Sequence, residues 1–188
     1  MNQQILDRGV ELKSQRLSKK QIALAACGGI AATELVKIIR ELRRHGAEVT
    51  PFLTPSVEDF ISAMSIEWAA NRPVIVEPTV EVDHLDPFDA VVVAPATLNT
   101  IAKAAVGISD NSVTLLIASQ LGRRGPLLFV PTMNLALREH PAYDEHVKRL
   151  EKWGATFFAS EAEEDRLKMP PPEKFVDAVV ALVKKKSK

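Results

Sequence analysis

The chain has 188 residues and carries 24 Lys and Arg against 24 Asp and Glu, so its formal net charge at pH 7 is zero. That length suits one domain with enough interior to bury a full sheet, and the charge balance marks no face for nucleic acid or an anionic membrane. A single Cys27 excludes an internal disulfide and a cysteine-held iron–sulfur cluster, apolar runs such as Ala90–Ala96 fall far short of the roughly 20 residues of a membrane span, and the polar N-terminus lacks a secretory core. The expectation is a cytoplasmic protein that binds neither membrane nor nucleic acid and has no metal-ligand pattern.

Residues 1–20 are polar with scattered apolar positions and read as an N-terminal extension, loosely attached or helical, which leaves 21–188 as the domain. Gln21–Cys27 is a short apolar run ending in Gly28-Gly29, and Leu35, Ile38, Ile39 and Leu42 follow at helical spacing, which predicts strand, tight turn, helix. Glu48–Leu53 repeats the strand signal after Gly46, and Thr54-Pro55-Ser56 predicts the start of a second helix with a hydroxyl cap. The segment from Asn71 to Pro87 is rich in Pro and acidic residues, with a strand fragment at Val74–Val76, and reads as a long loop of the kind that is often functional. Ala90–Ala94 and Leu127–Val130 predict strands buried on both faces. A helix starts near Asn99, another covers 142–153, a short strand lies at Thr156–Phe158, and a last helix runs from Glu173 to Lys185. The alternation predicts an α/β fold, a single doubly wound (Rossmann-like) parallel sheet with helices on both faces.

Ligands of such a sheet sit outside the carboxyl ends of its strands, which singles out four turns. Gly28, Gly29 and Ile30 offer backbone amides to a phosphate at a helix N-terminus, or form merely a tight turn. Thr54 and Ser56 offer hydroxyls, as caps or as phosphate ligands. Ala94-Pro95-Ala96-Thr97-Leu98-Asn99-Thr100 is small and hydroxylic, with room for a flat ring, and reads otherwise as an ordinary strand-to-helix turn. Pro131-Thr132-Met133-Asn134 puts an amide and a thioether where a substrate would lie.

In this order the turns resemble the flavoprotein superfamily of phosphopantothenoylcysteine decarboxylase, the lantibiotic-processing decarboxylases and the flavin prenyltransferase-like proteins. The resemblance spans roughly residues 20–180; Ala94–Lys103 with Gly107–Asn111 looks like the family's APATANTIAK region, and Pro131–Asn134 like its P-x-M-N signature. It implies FMN, with Gly28, Gly29, Ile30, Thr54, Ser56 and Phe60 near the phosphate end and Pro95, Ala96, Thr97, Asn99 and Ser119 near the ribityl chain or ring. It also implies a homo-oligomer, a trimer or a multiple of trimers, with the flavin at a subunit boundary.

The family's decarboxylases use a His, the P-x-M-N Asn and a Cys-containing clamp. Asn134 and Met133 are present, and His84 lies in the right region, though nearer to the Ala90 strand than the family's His and beside Asp83 and Asp86, as a solvated surface His would be. The clamp is missing, since Ser160–Arg166 contains no Cys. Its loss favours a different substrate on the same FMN. The leading expectation is therefore an FMN-dependent oxidoreductase that passes a hydride to a flat heterocycle, by resemblance to clamp-less members a dihydromethanopterin reductase, fed by an external electron donor. Asn134 and Met133 would then contact the substrate, with His84 as proton source. Alternatives are a cysteine decarboxylase of the phosphopantothenoylcysteine type using His84 and Asn134, a prenyltransferase-like protein binding through Arg123, Arg124 and Arg138, and a flavin carrier without an organic substrate.

Overall fold

The apolar segments marked as strands pair in parallel in the order β2-β1-β3-β4-β5, with β1 at Gln21–Ala26, β2 at Glu48–Leu53, β3 at Ala90–Ala96, β4 at Leu127–Pro131 and β5 at Thr156–Phe157. The structure is a computed structural model and describes residues 9–77 and 87–185. In chain order its α-helices are α1 (Leu35–Arg44), α2 (Ala63–Ala70), α3 (Leu98–Val106), α4 (Ser112–Gly122), α5 (Leu135–Arg138), α6 (Ala142–Lys152) and α7 (Pro172–Lys185). β3 and β4 are buried over their full length, as uninterrupted Val, Ala and Leu must be when helices cover both faces.

Alternate strand residues serve the two faces. Ile22, Leu24, Val92 and Val130 pack with Leu35, Ile38, Ile39 and Leu42 of α1 and with Phe175, Val176 and Val179 of α7. Ala23, Ala25, Val91, Val93 and Phe129 pack with Ile101 of α3, Leu116 of α4 and Leu150 of α6. This is the doubly wound α/β sheet that the sequence predicts. Because the chain leaves β1 toward β2 on one side and β3 toward β4 on the other, a crevice opens between the carboxyl ends of β1 and β3.

Four details depart from the sequence reading. The helix expected to open at Thr54–Ser56 is only a 3₁₀ turn at Pro55–Val57, because Thr54 Oγ1 is turned to the Gly28 N–H, 3.2 Å away, and makes no capping bond. The true N-cap is Ser62, which accepts from the Ser65 N–H ahead of α2. Val74–Val76 contributes one parallel bridge, Ile75 to Phe52, on the outer side of β2. Finally, 160–167, for which the sequence predicts no element, holds an antiparallel hairpin of β6 (Ala162–Glu163) and β7 (Arg166–Leu167). Of the N-terminal extension, Leu17 is wholly buried, and Lys13 and Leu17 donate their N–H groups to Arg44 and His45 carbonyls at 2.8 Å. Among the described residues no helix is long and apolar enough to cross a membrane.

Candidate functional site

A cleft of about 930 Å³ lies outside the carboxyl ends of β1, β3 and β4. One end is formed by Gly28, Gly29 and Ile30, the middle by Pro95 and Thr97, and the far wall by Thr132, Met133 and Asn134 together with the β6–β7 hairpin. The sheet thus brings together three of the four predicted turns.

At the first turn, a Cβ on Gly28 would stand 2.3 Å from Ser56 Oγ and 2.7 Å from the Ser56 carbonyl oxygen, so only glycine allows this approach. Thr54 Oγ1, which accepts from Gly28, also lies 3.1 Å from Ser56 Oγ, and the remaining predicted turn, Thr54–Ser56, is thereby tied to the first. Gly29 has open space around its missing side chain and leads into a 3₁₀ turn at Ile30–Glu34, whose first amides have no partner within the turn. Such amides, beside two hydroxyls, suit an anion. Cys27 is buried just below; its thiol donates to Thr100 Oγ1 at 3.1 Å, and burial pushes its pKa up, so it is a packed residue and not a thiolate.

In the second turn Thr97 lines the cleft and also caps α3, accepting from the Thr100 N–H at 3.4 Å. Ala96 is buried in β3, and Asn99 is exposed in the first turn of α3, outside the cleft lining. The rest of the resemblance motif builds scaffold: Lys103 pairs with Asp110 at 2.5 Å, and Asn111 forms a reciprocal capping box with Thr114 at the start of α4.

In the third turn Met133 is buried, and Asn134 is exposed at the N-cap of α5, where its Oδ1 accepts from the Leu137 N–H at 2.9 Å. A carboxamide oxygen held by an N–H leaves the Nδ2 hydrogens as the donors available to a ligand. Thr132 Oγ1 is buried with no hydrogen-bond partner among the described residues, a state that burial penalises unless a ligand or water answers it. Leu167 donates its N–H to the Met133 carbonyl at 2.7 Å, and Leu135 to the Asp165 carbonyl at 2.9 Å, so the hairpin is stapled to this turn.

Besides Asn99, the structure leaves Ala96, Thr54 and Ser56 off the cleft lining and two further flavin-site expectations away from it. Phe60 is exposed in the loop before α2, and Ser119 sits about two turns along α4 from Ser112, the residue that meets the carboxyl end of β2. His84 lies outside the described residues. Sequence reasoning missed Thr132 and the hairpin residues Glu164, Arg166 and Lys168, which line the cleft. The one local signal was Glu164-Asp165, two polar residues that both take up left-handed backbone (φ 51° and 55°) in the hairpin turn.

Known proteins bear on this cleft in three ways. The flavoprotein family model matches residues 11–184. The chain is 36% identical over 182 residues to the coenzyme A biosynthesis bifunctional protein CoaBC of Thermococcus kodakarensis, covering 93% of this chain and 45% of that protein. It is 31% identical to the CoaBC protein of Methanocaldococcus jannaschii, covering 89% and 42%. The chain therefore spans a little under half the length of these relatives. Among solved structures, MrsD from a Bacillus species superposes with a TM-score of 0.78 at 19% identity, covering 89% of this chain and 98% of that one. A PPC decarboxylase variant complexed with pantothenoylaminoethenethiol superposes with a TM-score of 0.73 at 23% identity, covering 88% and 99%. At such identities these neighbours speak for the fold.

The expectation of a dihydromethanopterin reductase is overturned by these relatives, which are named for coenzyme A biosynthesis. The external electron donor that it required loses its support with it. That expectation rested on the missing Cys clamp; the stretch without a cysteine instead folds as a hairpin, 162–167, whose residues line the cleft. With the family model covering nearly the whole chain and the cleft lying at the switch point of the sheet, the chain belongs to the flavoprotein family.

Proposed function

We propose that the chain is an FMN-dependent decarboxylase of a cysteine conjugate of the phosphopantothenoylcysteine type. The observation that carries this reading is a cleft whose two ends offer different chemistry, an anion-accepting turn at Gly28–Ile30 and an amide-bearing turn at Met133–Asn134, in a chain 36% identical to a CoaBC protein. Of the two activities in a bifunctional relative, the decarboxylase is favoured by the fold shared with PPC decarboxylase.

The residues fit the cofactor. The amides of Gly29 and Ile30 with the hydroxyls of Thr54 and Ser56 would hold its phosphate, Pro95 and Thr97 would flank its body, and the unanswered Thr132 hydroxyl would find a partner on it or on the substrate. When bound, FMN supplies a two-electron acceptor for the cysteinyl end of the substrate, which makes loss of the carboxylate feasible. Asn134 orients the substrate: with its oxygen fixed by Leu137, its NH₂ donates to an acceptor such as the departing carboxylate. Met133 forms the apolar floor beside it. The chain works as a homo-oligomer, of three subunits or a multiple of three, a reading supported by the exposed Ile30 at the cleft rim and the exposed Phe60, Met64 and Trp68; a monomer by light scattering would remove this part.

The test is anaerobic incubation of the FMN-loaded protein with phosphopantothenoylcysteine, following carbon dioxide. Release is expected, and none from a fully loaded protein would overturn the proposal. Asn134→Asp keeps a capping oxygen and removes both donors, so kcat/KM is expected to drop about 100-fold at unchanged melting temperature.

A further inference from the structure

The hairpin that walls the cleft sorts its charges unevenly. Its cleft-lining ionisable residues are Glu164, Asp165 and Arg166, with Lys168 just beyond. Lys168 Nζ takes both neighbouring glutamates, Glu163 and Glu164, at 3.0 Å each. Arg166 is left with one long bond from its Nε to the Glu164 carbonyl at 3.4 Å, and among the described residues no carboxylate lies within ion-pairing distance of its guanidinium. Glu163 stands opposite Arg166 across the hairpin, and the Lys168 and, less, the Arg166 charge lower the Glu164 pKa, yet neither carboxylate reaches ion-pairing distance of the guanidinium.

Its place is set by backbone bonds, not by its side chain. Arg166 and Asn134 form an antiparallel bridge, flanked by the Leu167-to-Met133 and Leu135-to-Asp165 hydrogen bonds. Directly opposed residues of such a bridge project to one side with Cβ atoms roughly 4.5–5.5 Å apart. The Asn134 amide and the Arg166 fork therefore leave the ladder together, and both line the cleft. An unpaired guanidinium presents parallel N–H donors that match an oxyanion two at a time, and a neighbouring carboxamide adds another.

We infer that Arg166 is the substrate-anion anchor of this cleft, its guanidinium engaging an oxyanion of the small acid that binds against Asn134. The inference rests on the decarboxylase reading for its ligand, whose oxyanions are a terminal carboxylate and a distal phosphate. Both are the same chemistry to an arginine, and the hairpin without a cysteine then recognises substrate by charge.

Calorimetric titration of the FMN-loaded protein, with phosphopantothenoylcysteine and with its unphosphorylated counterpart, tests it in wild type, Arg166→Gln and Arg166→Lys. Arg166→Gln is expected to raise Kd at least tenfold, and Arg166→Lys, which keeps the charge but not the fork, to fall between. A loss confined to the phosphorylated ligand assigns the phosphate, and an equal loss for both assigns the carboxylate; either supports the anchor. An Arg166→Gln protein within twofold of wild type for both ligands, or a wild type that binds neither, overturns it. Carbon dioxide is measured in parallel, so a wild type that binds without releasing it sinks the decarboxylase reading and leaves the anchor to be judged on Kd.

Discussion

Two polar clusters sit at opposite edges of the sheet and are finished differently. At the end of α1, Glu41 accepts from Lys13 at 2.5 Å and Arg44 at 2.9 Å, Lys13 also reaches Glu173 at 2.9 Å, and the buried His45 has Nδ1 2.6 Å from Ser14 Oγ and Nε2 3.4 Å from the Glu41 carboxylate. At the carboxyl edge, among the described residues, Thr132 Oγ1 is buried without a partner, Asn134 uses only its oxygen, and Arg166 has no carboxylate within ion-pairing distance. The first cluster pairs its carboxylates from within the chain, docking residues 13–17 onto α1 and α7, and leaves one buried atom, His45 Nε2, without a hydrogen bond. In the second, Asn134 and Arg166 are exposed to water, and only the buried Thr132 hydroxyl costs free energy in the folded state unless something outside the chain answers it. The contrast between paired carboxylates at one edge and donors turned to the cleft at the other can be tested from both sides.

The largest effect is expected at Gly28. Gly28→Ala would drive a Cβ to 2.3 Å from Ser56 Oγ and 2.7 Å from a backbone oxygen that cannot swing aside. FMN affinity, followed by quenching of flavin fluorescence, should fall at least tenfold, with ~1–3 kcal/mol of stability lost to overpacking. Gly29→Ala sharpens the result, because among the described residues nothing lies within 4 Å of its Cβ. There the fold should be indifferent, and any loss of flavin affinity reports a bound group beside it. A Gly28→Ala protein that binds FMN like wild type would break the assignment of this turn.

How much of this was legible in the sequence depends on how local each cause is. β3 and β4 were readable because a strand covered on both faces must be apolar throughout, and Ala90–Val93 and Leu127–Val130 are. α1 and α7 were readable from apolar spacing alone. The Thr54 turn was misread because its hydroxyl has two possible partners, a helix amide or Gly28, and the choice is made by the packing of β1 against β2. The hairpin was illegible since each strand is two residues long and its main support is the turn after β4, some 30 positions earlier in the chain. The P-x-M-N turn marked one wall of the site; nothing local marked Arg166 as the other.

The closed cluster predicts a pH signature. Burial acts to raise the Glu41 pKa, but hydrogen bonds from Lys13 and Arg44 outweigh it and hold the carboxyl at about 2, against an ordinary 4.5. A depressed folded-state pKa contributes stability that is complete above 4.5 and lost as the pH falls through about 2. Unscreened, that shift corresponds to ~3 kcal/mol, and solvent around the half-exposed Lys13 reduces it to ~1–2 kcal/mol. Glu41→Gln should therefore be less stable than wild type by that amount in urea at pH 7. The two proteins should converge toward pH 2, and FMN affinity should stay within twofold. A change in flavin affinity would show that the two edges are coupled and that the contrast between them is too simple.

The smallest effect is the most diagnostic, because its sign should reverse. Thr132 is 8% exposed and its hydroxyl is unanswered among the described residues. Thr132→Val keeps the shape and trades that hydroxyl for a methyl, so the flavin-free protein should gain about 1 kcal/mol, or roughly 2–4 °C in Tm for a chain of this length. In the flavin-loaded protein the same hydroxyl has a partner to lose, and the Kd for FMN or for the substrate should rise about five- to tenfold, the equivalent of ~1 kcal/mol. Scanning calorimetry of both forms, with titration of each ligand, measures the two halves separately. Opposite signs mean that the fold carries a cost at Thr132 that only the bound state recovers. Stabilisation of both forms, with ligand affinities unchanged, would mean that the open hydroxyl is a packing defect and that the cleft is defined by Gly28, Asn134 and Arg166 without it.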